Sequence, residues 1–282
     1  MSSLQRFLSI TLADGRRLAW REYGALSGYP VIFLHGNLNS RLFQPMWAAT
    51  EAKSEAAGAR VIAIDLPGYG ESTYHPDRSY RGGADDIESL ANHLELDKFA
   101  VLGYSSGGPN AMACAACLPS RVSACGLISS DGPYSTIGGG IVEQVYGVSE
   151  ITSENNVSRI MKEHESLRQS YQSLTKADRK ELALLDLATA VLQGIDKGPA
   201  QDGLLESRPW DFELSSLNAA ESPPVLLWHG EADDAVPPDV ARHIASQIPS
   251  IAVQFTEGES HSMIRRHWDR FLVELVAAGS KR

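Results

Sequence analysis

The run Phe99-Ala-Val-Leu102 leading into Gly103-Tyr104-Ser105-Ser106-Gly107 constrains this chain more than any other segment. An apolar stretch ends in a pentapeptide with glycine at both ends and serine at its centre. Gly107 to Cys117 then follows, rich in small residues. The pattern predicts a strand, a sharp turn and a helix, with one serine standing clear at the tip. Side chains at the two glycine positions would collide with the neighbouring strand and helix, because a serine presented this way sits in a strained turn. The start of the helix also directs a partial positive charge and free N–H groups at the space beside the serine.

The remaining pattern says what surrounds that turn. Residues 7–23, with Asp14-Gly15 at the centre, alternate as a β-hairpin does. Val31–Leu34 and Val61–Ile64 are short, unalternating apolar runs of the kind buried on both faces of a parallel sheet, and Phe99–Leu102, Val122–Ile128, Pro224–Trp228 and Ala252–Phe255 read as further strands. Helical patterns fall between them at Phe43–Ala57 (stopped by Gly58), Asp85–Leu96, about 238–247 and Ile264–Ala277. Alternating strands and helices predict an α/β fold: a doubly wound, mostly parallel sheet covered on both faces.

One stretch breaks the rhythm. Residues 133–215 open on Gly138-Gly-Gly140 and then give helical patterns at Ile141–Tyr146, Val157–Leu174 and Ala177–Gln193, with no strand between them. This is expected to be an inserted helical cap over the edge of the sheet where α/β folds bind ligands, leaving 1–132 and 216–282 as the core. The alternative is a passive extra helical layer.

Composition excludes several classes. A net charge of −10 argues against a nucleic-acid partner, which needs clustered Lys and Arg. No apolar stretch approaches the ~20 residues that span a bilayer, and Met1–Ile10 does not read as a signal peptide, so a cytoplasmic location is expected. The three cysteines suggest no disulfide framework. Cys114-x-x-Cys117 lies in the predicted helix after the serine, where small apolar residues pack, and no metal is expected there or at His261 and His267, whose spacing is not that of a helical ligand pair.

Three further loops, each just past a predicted strand, complete a chemical pattern. His35-Gly36-Asn37 follows the strand at 31–34. There the Asn37 backbone N–H, with that of Ser106, is placed to hold an oxyanion, while the His35 imidazole braces the loop. Gly230-Glu-Ala-Asp233 follows 224–228 and supplies a carboxylate. Gly258-Glu-Ser-His261 follows 252–255 and supplies an imidazole. A serine is a poor nucleophile until a base takes its proton, and the imidazolium then formed needs an ionised carboxylate to orient it. Ser105, Asp233 and His261 fill these roles in that order. Asp234 beside Asp233, and Asp131 after the strand at 122–128, are alternative acids. His75, His93, His164, His229, His243 and His267 have no motif context and are expected at the surface or in packing.

Taken together, His35-Gly36, Asp65-Leu-Pro-Gly-Tyr-Gly-Glu-Ser72, Gly103–Gly107, Gly230–Asp233 with Val236-Pro237, and His261 resemble the α/β-hydrolase superfamily over nearly the whole chain. The likeness is to its serine-nucleophile esterase and lipase-like branch, since Ser105 stands where the haloalkane dehalogenase and epoxide hydrolase branches carry aspartate. Ser260 departs from the glycine that many relatives place before the histidine. The resemblance implies a serine hydrolase without cofactor, working through an acyl-enzyme on an ester, thioester or lactone of a small, largely apolar molecule. Tyr104, Leu38 and Asp131 are expected to line its pocket. The same residues would also suit a peptidase, a C–C bond hydrolase, or a small-ligand receptor of slow or no turnover; oligomeric state is not legible.

Overall fold

The computed structural model describes residues 8–282, so Phe7 of the expected hairpin and most of the N-terminal segment lie outside it. The eight strands are β1 (Leu8–Thr11), β2 (Arg17–Gly24), β3 (Tyr29–Leu34), β4 (Ala59–Ile64), β5 (Phe99–Tyr104), β6 (Val122–Ile128), β7 (Val225–Gly230) and β8 (Ala252–Thr256). They form one sheet in the order β1-β2-β4-β3-β5-β6-β7-β8. The hairpin pairs β1 with β2 antiparallel, β2 joins β4 antiparallel, and every later pairing is parallel.

Strand geometry explains why the central runs do not alternate in polarity. Successive side chains point to opposite faces, and here both faces are buried. On one face Ile32, Leu34, Ile62, Ile64, Val101 and Leu127 pack under α2 (Tyr80–His93), α3 (Gly107–Cys117) and α9 (Pro238–Gln247). On the other, Val31, Phe33, Val61, Ala63, Ala100 and Leu102 pack with Trp268, Phe271, Leu272 and Leu275 of α10 (Ile264–Gly279), beside α1 (Thr50–Ala56). Each of the central parallel strands thus serves two cores and brings its C-terminal end to the same edge of the sheet.

Several helix boundaries differ from expectation, for identifiable reasons. The helix expected over 43–57 begins only at Thr50, after a 3₁₀ turn at Trp47–Ala49. Pro45 disfavours helix at Gln44, and Trp47 takes a left-handed φ of 55°. α2 starts earlier than the expected 85 because the Ser79 hydroxyl accepts the Gly82 N–H and caps it. It ends before Leu96 because Glu95 has a φ of 54°.

Between β6 and β7 the chain forms α4 (Tyr134–Ile137), α5 (Ile141–Tyr146), α6 (Ser153–Gln172), α7 (Ala177–Ala190) and α8 (Gly198–Glu206). A Thr152/Asn155 capping box starts α6. The sequence reading overlooked α8, whose Pro199 and two glycines weaken the helical signal. This segment is tied to the sheet by buried polar contacts. Asp186 of α7 accepts from the Ser40 N–H and hydroxyl at 2.9 and 2.6 Å and from Asn39 Nδ2 at 2.9 Å. Asp202 of α8 pairs with Arg78 at 2.6 Å, both fully buried. Among the described residues no helix is long and apolar enough to cross a membrane.

The tightest point lies where β5 turns into α3. Ser105 has a φ of 52°, in the left-handed region where side chains are uncommon. A Cβ on Gly107 would stand 2.0 Å from the Leu34 carbonyl oxygen, and one on Gly103 2.5 Å from that of Gly107. In both cases the obstacle is backbone, which cannot swing aside. Replacing Gly107 by Ala should therefore lower the unfolding free energy by about 1–3 kcal/mol in a denaturant titration, as overpacking without room to relax does. A loss below about 0.5 kcal/mol would show that the turn is not under this constraint.

Candidate active site

The strand ends converge on Ser105. Its hydroxyl lies 3.1 Å from His261 Nε2, and His261 Nδ1 lies 3.0 and 3.2 Å from the two oxygens of Asp233. Asp233 is held in turn by the Ala235 and Val236 N–H groups, which donate to its Oδ1 at 3.1 and 2.9 Å. Asp234, by contrast, is exposed on the rim. Burial pushes the Asp233 carboxyl up, but the hydrogen bond and charge of His261 outweigh it and hold the group below its usual value. Burial also opposes charge on His261, yet Asp233 raises the imidazole above 6.5. The arrangement is one in which the imidazole can accept the serine proton while a carboxylate stabilises the resulting charge.

Asp131 does not contact His261 through a hydrogen bond. It lies on the other side of the serine, where Ser105 Oγ and Ser106 Oγ donate to its Oδ2 at 3.2 and 3.1 Å and the Tyr134 hydroxyl donates to Oδ1. Burial raises this carboxyl, against those hydroxyls and His261.

The loop after β3 is braced from several directions. His35 is fully buried, with Nδ1 donating to the Gly36 carbonyl at 2.8 Å and Nε2 accepting the Leu66 N–H at 3.2 Å. With one nitrogen donating and the other accepting, the ring is neutral, and burial pushes it down to about 3. Arg41 pairs with the buried Asp65 and reaches Glu71 at 3.0 Å. The loop's Asn37 side chain donates to the Pro199 carbonyl at 2.8 Å, so the loop and the inserted helices hold each other. Among the described residues, neither the Asn37 nor the Ser106 backbone N–H is engaged by a protein acceptor.

These groups open onto a cavity of about 330 Å³, near the small end of the range for ligand sites. Asn37, Tyr104, Ser105, Ser106, Asp131 and His261 all line it. Leu38, expected on this wall, is instead packed behind it with Ile160 and Leu187, because its left-handed φ of 55° goes with a side chain buried under the inserted helices. The Tyr104 ring stacks on Phe43 at 5.7 Å and lies 5.2 Å from the His261 ring.

Sequence reasoning missed much of the wall. Tyr146, Arg159, Glu163, Tyr171 and Glu206 come from the inserted helices, and Arg265 from α10. The lining is mixed rather than largely apolar, since Phe43, Val145, Leu167 and Val236 share it with those charged groups. His229, expected at the surface or in packing, is fully buried at the end of β7, bonded through Nε2 to the Val236 carbonyl at 2.9 Å and lying 3.4 Å from Asp233. His229-Gly230 repeats the strand-end His35-Gly36 pair.

With the fold and geometry established, sequence comparison identifies the class. The family described as the alpha/beta hydrolase fold matches residues 29–264, and the chain belongs to it. Lipase 1 of Psychrobacter immobilis is 27% identical over 266 residues, covering 90% of this chain and 77% of that protein. A dihydrolipoyllysine-residue acetyltransferase component of the acetoin cleaving system of Pseudomonas putida is 36% identical over 132 residues. That match spans 44% of this chain and only a third of that relative (33%). The crystal structure of a putative aryl esterase from Burkholderia cenocepacia superimposes with a TM-score of 0.69 at 21% identity, covering 98% of this chain and all of that one, a likeness of fold.

Asp186 gives the site's surroundings a measurable pH response. Burial raises its carboxyl from 3.8 to about 7, against the Ser40 and Asn39 donors. Between those values the folded protein keeps a proton that the unfolded chain has released, so this group's contribution to stability falls as pH rises from about 4 to about 7. Wild type should therefore lose stability relative to Asp186→Asn across that interval in denaturant titrations. Parallel curves for the two proteins would contradict the assignment.

Proposed function

We propose that this chain is a serine hydrolase that cleaves a small carboxylic ester through an acyl-enzyme on Ser105. The observation that carries the reading is the continuous hydrogen-bonded line from Ser105 through His261 to Asp233, at 3.1 and 3.0 Å. A relative named as a lipase, matched over 90% of this chain and 77% of its own length, supports the ester class.

In this reading His261 Nε2 takes the Ser105 proton as Oγ attacks the ester carbonyl carbon. Charge gathers on the carbonyl oxygen, which the Asn37 and Ser106 N–H groups receive at the start of α3. Collapse of the tetrahedral intermediate expels the alcohol, protonated by His261, and leaves the acyl group on Ser105. Water then repeats the sequence, its proton passing to His261, and frees the acid. Asp233 keeps the imidazole oriented and balances its charge in both halves. Asp131 does not share that role, since its contacts are with hydroxyls. Residues 133–215 act as the cap: Tyr146, Arg159, Leu167, Tyr171 and Glu206 face the cavity and shape what enters it. The charged lining favours a polar substrate over a largely apolar one.

Ser105→Ala should lower kcat by a factor on the order of 10⁴ or more and abolish a single fluorophosphonate adduct seen by intact-mass spectrometry. An adduct surviving in that variant would place the nucleophile elsewhere. Asp233→Asn should cost kcat far more than Asp234→Asn, by roughly 10³–10⁴. The acid limb of kcat/KM should fall above pH 6.5, because His261 must be neutral to act as base and its environment raises its value. A limb clearly below 6.5 would argue against His261 as the base.

A further inference from the structure

The floor of the cavity beside Ser105 holds buried carboxyl groups that are bonded to hydroxyls rather than to a cation. Asp131, just past β6, and Glu206 on α8 line it at 4% and 3% exposure, and Asp202 on α8 is buried behind Glu206 at 2%. One buried guanidinium, Arg78, faces them, and it is committed to Asp202 at 2.6 Å. Glu206 receives the Tyr146 hydroxyl on Oε2, while its Oε1 has no hydrogen-bond partner although the side chain lines the cavity. Two cations stand nearby, and one of them, Arg265, leaves its Nη1 without a hydrogen-bond partner. Arg159 lies over the Tyr146 ring but bonds Glu163 at 2.8 Å and Asn156 at 3.1 Å, and Arg265 stacks 5.0 and 4.2 Å over Phe43 and Trp47.

We propose that this floor is a recognition site for a protonated amine, and that the ester cleaved is an aminoacyl ester, with an ammonium on the carbon next to its carbonyl. The inference rests on the hydrolase reading of Ser105. Burying carboxylates without a cation costs several kcal/mol each, so without one the pair keeps protons, and burial together with mutual repulsion raises Glu206 well above its usual value. An ammonium brings the missing charge and three donors, and the unpartnered Glu206 Oε1 and the lining Asn37's unpartnered Oδ1 are acceptors for them. Among the described residues no group of three or more His, Cys, Asp or Glu side chains is arranged to hold a metal ion.

Position supplies the rest of the argument. Asp131 Oδ2 is 3.2 Å from Ser105 Oγ and 3.1 Å from Ser106 Oγ. In an aminoacyl group the nitrogen stands only about 2.5 Å from the carbonyl carbon, so a carbonyl under attack by Ser105 keeps its ammonium within reach of Asp131. An ammonium bound to Oδ2 also removes the competing acceptor of the Ser105 hydroxyl. The serine proton is then left to His261 alone, so the correct substrate both binds and releases the nucleophile.

The test uses the full chain and the 4-nitrobenzyl esters of L-alanine, N-acetyl-L-alanine and isobutyrate, the last replacing the ammonium by a methyl group. Each kcat/KM is divided by that ester's hydroxide-catalysed rate, since an α-ammonium activates an ester on its own. The alanine ester should exceed isobutyrate by about 30-fold after this correction, the range of a hydrogen-bonded charge, and acetylation should abolish the advantage. Glu206→Gln should cut the alanine-to-isobutyrate ratio at least tenfold, mainly through KM. Calorimetry on Ser105→Ala should show alaninamide binding and no heat from N-acetylalaninamide. A corrected ratio near one, with Ser105 still labelled by fluorophosphonate, overturns the amine site and leaves the hydrolase reading standing. Absence of both labelling and turnover overturns the hydrolase reading; alaninamide calorimetry then decides the amine site, and no heat overturns it. Should Glu206→Gln fail to fold, the wild-type ratio and the calorimetry decide.

Discussion

The contact on which the rest of this structure depends is the approach of Gly107 to the Leu34 carbonyl, where the start of α3 sits directly against the end of β3. Two backbones meet there with no room for a side chain. That closeness brings the Asn37 loop beside Ser105 and puts the start of a helix next to both. The left-handed φ of Ser105 is its local cost, on the order of 1–3 kcal/mol for such a residue. Neighbours hold the turn in place: Ser105 N–H donates to the Ile128 carbonyl at 3.1 Å, and its carbonyl accepts from Gly108 and Asp131 at 2.8 and 3.2 Å. β3, β5 and β6 are adjacent in the sheet, so the strain is distributed over three strands rather than borne by one loop.

Around that point, burial sorts ionisable groups into different tasks. His35 and His229 are buried against backbone carbonyls, with the charge that burial disfavours kept off both rings. Each makes a neutral brace for a strand-end loop. His261 is open to the cavity and leans on Asp233, so the same side chain type is pushed the other way. The carboxyls divide similarly. Asp233 receives two backbone N–H groups and an imidazole and stays ionised, whereas Asp131 and Glu206 meet hydroxyls and one another.

The sheet and the inserted helices contribute differently to specificity. The edge of the sheet brings Ser105, His261 and Asp233 within hydrogen-bond reach of one another. The helices between β6 and β7 supply charged walls, and they are anchored by buried polar links such as Asp186 to Ser40 and Asn37 to Pro199. Those links run to the same β3 loop that carries the proposed oxyanion donor.

Sequence by itself determined the parallel core, the strand-to-helix turn at Ser105 and the loops that carry Asp233 and His261, because each is encoded locally. Unbroken apolar runs mark strands covered on both faces, and glycine at a crowded turn is a short-range requirement. It also placed the helices well where periodicity was strong, as at 238–247, and poorly where proline, a serine cap or a left-handed residue set the boundary, as at Gln44-Pro45, Ser79 and Glu95. Tertiary structure alone decided which side chains share the cavity. Glu206 is one acidic residue in a helix weakened by proline and glycine, Tyr146 and Arg159 lie on other helices, and Leu38 turns away although its neighbour Asn37 does not. Their meeting depends on how the inserted helices pack over the sheet, through contacts between residues as far apart as Asn37 and Pro199, and no local pattern encodes a contact of that range.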